Sequence, residues 1–186
     1  MRKRLYSAAP MLSFLLTVTA ATIAALLRWL WRQRPRRAVV TNVFLWAIVL
    51  NYIWEVGQLP LFAGFASFHL WTAVRHCAWY TLGDAIIVIS LYGLGALGHR
   101  SWGWGLRLHR VDWLWLPLAG ILVAIVIERL ALHFGRWQYS PDMPTLPGVA
   151  VGVLPVVQMG LLPLLSIVLA RCFVAHVIST TGSGNA

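Results

Sequence analysis

Residues 113–133 read WLWLPLAGILVAIVIERLALH, an apolar run with two adjacent charged side chains, Glu128 and Arg129. A helix of about 20 mostly apolar residues crosses the hydrocarbon of a membrane. Similar runs recur at residues 8–27, 39–58, 78–97 and 148–170. The whole chain is 60% hydrophobic and 11% charged, whereas soluble domains carry about a quarter charged residues. The sequence therefore predicts an all-α polytopic membrane bundle of about five transmembrane helices.

This bundle forms a single domain over residues 1–178, and the polar residues 179–186 are predicted to be a disordered tail. The run at 8–27 follows three basic residues and is also compatible with a signal peptide. We interpret it as a span because it is long and is not followed by a clear small-residue cleavage site.

The positive charge of the chain is concentrated in short loops. Of its 15 basic residues, five arginines lie in 28–37 and three in 98–112. Arginine and lysine mark the cytoplasmic loops of inner-membrane proteins, so we expect both segments in the cytoplasm of a bacterial-type cell. Three basic residues in Met1–Arg4 conflict with this orientation, which leaves the direction of the first span open. Because the charge is explained in this way, nucleic acid is not an expected partner.

Three of the five acidic side chains, Glu55, Asp84 and Glu128, fall inside predicted spans. A charged side chain near the bilayer centre costs about 2.5–3.5 kcal/mol on insertion scales, so each needs a partner or a function there. At 1.5 Å per residue, Glu55 and Glu128 lie about 24 and 22 Å from the cytoplasmic ends of their spans. Asp84 lies about 9 Å from the periplasmic end of its span. The spans thus place their acids in one layer, in the periplasmic half.

Further polar residues accompany these acids. Two sets share a helix face at spacings of three or four residues, namely Asn51, Glu55 and Gln58 in the second span and His76, Tyr80 and Asp84 in the third. Gln158 lies at a similar depth in the fifth span. Because such groups need partners away from lipid, we expect the faces to meet around a polar pocket below the periplasmic surface.

The same residues also fit a purely structural interpretation. Glu55 would pair with Arg75, and Glu128 with Arg136 or His133, while Gln158 would tie helices together. Trp137 and Tyr139, in the turn-rich loop before the fifth span, suit membrane-interface anchors as well as ligand contacts.

Three strings carry a resemblance: Trp54-Glu55 with Gln58-Leu59-Pro60-Leu61, His76-Cys77 with Gly83-Asp84, and Trp137-Gln138-Tyr139-Ser140 with Met143-Pro144. Over about residues 40–170 the chain resembles a group of small multi-pass bacterial inner-membrane proteins without an assigned function. The resemblance implies mainly the fold. A much weaker likeness, of layout only, is to the emopamil-binding superfamily, whose five-span members isomerise sterol double bonds with intramembrane Glu and His. Here His76 and Glu55 lie on different spans, and no clear aromatic signature of the sterol site is present.

The leading hypothesis is a protein that binds or modifies an isoprenoid or other membrane lipid. Glu55 and Glu128 would be acid and base, with Asp84 orienting His76. Side chains expected to bind are Asn51, Gln58, Tyr80, Trp137, Tyr139 and Gln158. No motif indicates a cofactor, and the carboxylates and His76 lack metal-ligand spacing. The alternative is a non-catalytic accessory or assembly subunit with a membrane-protein partner. A proton or solute carrier is less favoured, because no inverted repeat is visible.

Overall fold

A computed structural model describes residues 35–63 and 70–182 of the chain. Four α-helices follow one another: α1 (Pro35–Gln58), α2 (Leu70–Gly98), α3 (Asp112–His133) and α4 (Val153–Gly182). Two short 3-10 helices, Leu59–Leu61 and Trp104–Leu106, follow α1 and α2. All four α-helices contain a stretch long and apolar enough to cross a membrane. The predicted first span, 8–27, lies outside the described residues, so the count of five is not confirmed.

The helix ends follow local sequence signals. Proline suits the first turn of a helix, and Pro35 is the first residue of α1 that the structure describes. At the end of α3, Gly135 takes a positive φ of 61°. There Gly135 and Arg136 donate their N–H groups to the carbonyls of Leu132 and Ala131, the Schellman arrangement that ends many helices.

Two spans begin elsewhere than the sequence predicts. Helix α2 already begins at Leu70, eight residues before the predicted start, so it includes Arg75 and His76. Helix α4 begins at Val153 rather than at 148, because Gly148 and Ala150 adopt positive φ angles of 76° and 54° that a helix cannot contain. Helix α4 continues to Gly182, into the segment predicted to be a disordered tail. Residues 183–186 lie outside the described part.

Helix α4 is central to the bundle. It packs along α1 and α3, and α1 also packs along α2, whereas α2 and α3 have little contact with each other. The approach of α3 to α4 depends on Gly120, where a Cβ atom would collide with the Met159 carbonyl. Large apolar side chains such as Ile53 and Leu122, each 64% exposed, point outward from the bundle. An apolar outer face is what a bundle surrounded by lipid requires.

Candidate functional site

The polar residues of the spans meet at one end of the bundle, where α1 and α3 end and α2 and α4 begin. We call this the pocket end. A cavity of about 90 Å³ opens there. Its polar lining consists of Glu55, Gln58, Tyr80, Asp84, Glu128, Trp137 and Gln158. Its apolar lining consists of Leu59, Phe62, Ile87, Ala124, Ile127, Pro155 and Met159. All three acids of the spans therefore face one space, although they come from three different helices.

Gln158 is the centre of the polar network, and it is 2% exposed. Its Nε2 donates to Asn51 Oδ1 (2.9 Å), Asp84 Oδ2 (2.9 Å) and Glu55 Oε1 (3.2 Å). One amide on α4 thus reaches both α1 and α2. Because amide N–H groups are neutral donors, they satisfy carboxyl oxygens without neutralising a charge.

Gln58 strengthens the same network from α1. Its Nε2 donates to Glu55 Oε1 (2.7 Å) and to Gln158 Oε1 (3.2 Å), and its Oε1 accepts from Trp54 Nε1 (3.2 Å). Glu55 and Asp84 are therefore neighbours beside the cavity, because an oxygen of each accepts from the same Gln158 amide nitrogen.

Glu128 has different surroundings. It is 7% exposed, and its Oε2 accepts hydrogen bonds from Trp137 Nε1 (3.1 Å) and the Tyr139 hydroxyl. Both partners come from the loop after α3. The Tyr139 oxygen in turn accepts from the N–H of Gly152 (2.9 Å), which fixes the phenol. Burial raises the pKa of the Tyr139 phenol, and the hydrogen bond to Glu128 adds to the rise, so the group stays a proton donor at neutral pH.

The loop that carries Trp137 and Tyr139 is held on the pocket by backbone contacts. Tyr139 pairs with Phe62 in an isolated antiparallel bridge, and Thr145 pairs with Gly152 in another. Phe62, Tyr80 and Trp137 meet edge to face, with ring centroids 6.4 Å apart for Phe62–Trp137 and 5.7 Å for Tyr80–Trp137. These contacts differ from those of membrane-interface anchors. The indole N–H of Trp137 and the hydroxyl of Tyr139 point inward and donate to Glu128.

His76 is the one predicted site residue that neither lines the cavity nor bonds to Gln158 or Glu128 among the contacts described above. It is exposed and stacks on Tyr80 with ring centroids 6.3 Å apart, but it does not line the cavity. Asp84 accepts from Gln158, and its role in orienting His76 stays a prediction. The other nine predicted site residues either line the cavity or hydrogen-bond to a residue that lines it.

The predicted structural ion pairs are also absent from the residues that the structure describes. Glu55 and Glu128 bond to the amides and aromatic donors named above, not to Arg75, Arg136 or His133. Arg129, next to Glu128 in sequence, turns away and donates to the Val149 carbonyl (3.1 Å). Within residues 35–63 and 70–182, no three His, Cys, Asp or Glu side chains are placed closely enough to hold a metal ion together.

Two features of the site were not predicted from the sequence. Phe62 closes one wall of the cavity, and its only sequence signal was its place just after Pro60. Met159, which is 4% exposed, and Pro155 form another apolar part of the wall. Hydropathy cannot distinguish such residues from ordinary apolar packing, because it records composition and not which space a side chain borders.

Comparison with known proteins provides no identification. No family model, no curated protein and no solved structure matches this chain.

Proposed function

We propose that this protein binds a lipid-soluble molecule in the pocket and modifies it by acid–base chemistry within a bacterial inner membrane. The observation that carries the proposal is the convergence of Glu55, Asp84 and Glu128, from three spans, on a single cavity. Intramembrane carboxyl groups are costly to insert and commonly mark sites of function. Because the cavity is bordered by apolar side chains as well, it suits a ligand that arrives from the bilayer.

The hydrogen bonds support different roles for the acids. Glu55 and Asp84 lie side by side and share the Gln158 amide as donor, and this pair is the proton donor. Glu128 accepts from two donors, Trp137 and Tyr139, as an ionised carboxylate does, and is the acceptor. Two carboxyl sites with unlike surroundings on one cavity are the arrangement that acid–base enzymes use to give and take a proton. A substrate lying between them would receive a proton at one atom and lose one at another.

The charge pattern supports a position for the pocket in the membrane. Arg100, Arg107 and Arg110 are exposed between α2 and α3, at the end of the bundle opposite the pocket. If this end faces the cytoplasm, as the positive-inside rule predicts, the pocket lies in the periplasmic half of the membrane. The substrate would then be drawn from the outer leaflet, and an isoprenoid or similar lipid fits this location.

The test compares Glu55→Gln and Glu128→Gln with Asp142→Asn. Each variant is expressed from a plasmid in cells that lack their own copy of the protein. Asp142 is exposed in the loop after α3 and does not line the cavity, so it is a matched carboxyl control. We expect both pocket variants to shift the membrane-lipid profile measured by mass spectrometry, with the control unchanged. Wild-type lipid profiles in both pocket variants, at equal protein levels, would overturn the proposal.

One observation favours a second candidate function. The Gln158 amide ties α1, α2 and α4 together, which is what an internal clasp of an accessory membrane subunit needs. Affinity purification in mild detergent distinguishes the two candidates. A stoichiometric membrane-protein partner would support the accessory subunit, whereas a lone protein with co-purified lipid would support the lipid-modifying protein.

A further inference from the structure

We propose that an apolar groove between α1 and α4 is the docking site of residues 8–27, the predicted first span of this same chain. The groove has a volume of about 450 Å³ and is separate from the pocket, although Gln58 borders both. This inference goes beyond the proposed function, because it concerns the assembly of the bundle and requires no chemistry in the pocket. It names the surface of the four described helices that a fifth helix covers.

Two apolar stripes at helical spacing form the walls of the groove. The stripe on α1 consists of Leu50, Ile53, Trp54 and Gly57, and the stripe on α4 consists of Leu154, Leu161, Leu162 and Leu165. Residues at these spacings share one face of a helix. Ile53 and Leu161 are 64% and 48% exposed, and a Cβ atom on Gly57 would meet nothing within 4 Å. The groove is therefore an open apolar surface that no described residue covers.

The length of chain before α1 fits this groove. The run 8–27 has 20 residues, and only the seven residues 28–34 separate it from Pro35. Helices joined by such short loops are usually antiparallel neighbours. A helix of 20 residues is about 30 Å long, and α1 rises about 22–33 Å between Pro35 and residues 50–57. A run that turns back along α1 thus reaches the groove with its first half, at about residues 8–16.

The side chains of the run match the space that the groove offers. Its first half contains the large apolar residues Met11, Leu12, Phe14, Leu15 and Leu16, whereas residues 17–25 are mostly alanine and threonine. Helices in a membrane associate through van der Waals packing, so large side chains must meet open space and small ones allow close approach. The bulky half lies at the depth of the open position Gly57, and the small-residue half lies beside the earlier part of α1.

The groove suits the tethered span better than a second copy of the chain. In a symmetric dimer the same surface of each copy faces the other, and two concave surfaces leave the space between them unfilled. A span held seven residues from α1 docks within one molecule, at a high effective concentration. It would also cover the hydrogen bond from Trp54 Nε1 to Gln58 Oε1 (3.2 Å), which lies between the groove and the pocket network.

The experiment places the photo-crosslinker p-benzoylphenylalanine at Ile53 in the whole chain, in the membranes of the cells that express it. After irradiation, trypsin cleaves next to Arg4 and Arg28 and releases residues 5–28 as one peptide. Mass spectrometry then identifies whether the crosslinker has reacted with this peptide or with lipid. A denaturing gel run before digestion separates adducts within one chain from crosslinked dimers.

The control chain carries the same crosslinker at Ile86, which is 57% exposed on α2 and does not line the groove. The two positions have the same depth, because Ile53 and Ile86 each lie two residues farther from the pocket end than Glu55 and Asp84, which share the Gln158 amide. We expect the 5–28 peptide to be the main adduct at Ile53, at least about fivefold above its yield at Ile86.

A second pair of variants tests the shape of the groove. With the crosslinker at Ile53, Gly57→Leu fills the open position and should lower the yield of the 5–28 adduct at least about threefold. Gly83→Leu is the matched control, because Gly83 is also exposed, lies on α2 and has open space around it. It should leave the yield unchanged.

Several outcomes would overturn the docking of the first span. These are lipid adducts alone at Ile53, equal 5–28 yields at Ile53 and Ile86, or adducts found only in crosslinked dimers. Purified protein without residues 5–28 would do the same, because the segment would then be a signal peptide that is removed. The comparison of Ile53 with Ile86 is decisive even where Gly57→Leu fails to fold. Lipid profiles of the pocket variants are measured separately, so either proposal can fail without the other.

Discussion

Both ends of the bundle bury carboxyl groups, but they leave them in different surroundings. At the end opposite the pocket, Asp112 is fully buried, and three donors saturate its carboxylate. These are His99 Nε2 (2.8 Å), the His109 backbone N–H (2.7 Å) and Trp115 Nε1 (2.8 Å). At the pocket end, Glu55, Asp84 and Glu128 border open space. The first carboxyl holds a loop in place, whereas the other three remain accessible to a ligand.

The neighbours of Asp112 explain why it needs no cavity. The His99 ring is stacked between Trp104 and His109, with centroids 5.2 and 5.4 Å away and ring planes within 14° of parallel. Trp104 also donates from Nε1 to the Tyr92 carbonyl (3.0 Å) and packs against Gly95. Both Asp112 oxygens and the ring N–H groups of Trp104 and Trp115 have partners, which is typical of a structural cluster. Burial of a carboxyl group therefore does not by itself indicate a binding site. A carboxyl group that borders open space does.

The largest effect on stability is expected for Asp112, at the end of the bundle opposite the pocket. Asp112→Ala leaves the donors of His99, His109 and Trp115 without their acceptor, and each buried unsatisfied group costs about 1–3 kcal/mol. We expect the free energy of unfolding in detergent to fall by about 3 kcal/mol or more. Asp142→Ala, at an exposed loop position, is the control and should change it by at most about 0.5 kcal/mol. A loss as small as that of the control would remove the distinction between the two ends.

A smaller loss of stability is expected for Gln158, which links α1, α2 and α4 at the pocket end. Gln158→Ala removes the donor shared by Asn51, Glu55 and Asp84. Because the cavity lies beside these groups, water can enter and replace part of the lost hydrogen bonding. We therefore expect a loss of about 2 kcal/mol in the same unfolding measurement. Gln138→Ala, an exposed glutamine in the loop, should have almost no effect. A larger loss of stability for Gln158→Ala than for Asp112→Ala would contradict this expectation, because the pocket end would then contribute more to the fold.

The smallest effect on stability is expected for Glu55→Gln. A glutamine retains an oxygen that accepts from Gln58 and Gln158, and it removes a partly buried acidic group. We expect the free energy of unfolding to change by about 1 kcal/mol or less. A gain in stability also fits the proposed function, because functional sites commonly retain destabilising groups. The unfolding measurement should be made on the same preparation used for lipid analysis. A loss well above that of Gln158→Ala would mark Glu55 as structural.

The spans were predictable where hydropathy and helix signals agree. Residues 39–58 and 113–133 were predicted as spans, and the helices cover 35–58 and 112–133. The start of α2 was placed too late because Arg75 and His76 look like loop residues, although both lie on its exposed face. The start of α4 was placed too early because an apolar run with glycines gives no sign of the left-handed backbone at Gly148 and Ala150.

The site was predictable in part. Helical spacing on α1 and α2, together with depth in the membrane, correctly grouped Asn51, Glu55, Gln58 and Asp84 with Gln158. The same reasoning included His76, because periodicity places it on the face of Tyr80 and Asp84 but does not show how far along that face the cavity extends. Asp112 was predicted to lie in a loop, since the sequence does not show that His99, thirteen residues earlier, returns to meet it.

By itself, the sequence determined that this chain forms apolar helices and at what depth each carries its acid, because hydropathy and rise per residue are local properties. Only the tertiary structure decided which carboxyls share the Gln158 amide, which is bound by Trp137 and Tyr139, and which is enclosed at the other end. These outcomes depend on helix rotation and on a loop folding back over the bundle. Both arise from contacts between residues far apart in the chain, such as Gln158 with Asn51, and no local pattern records them.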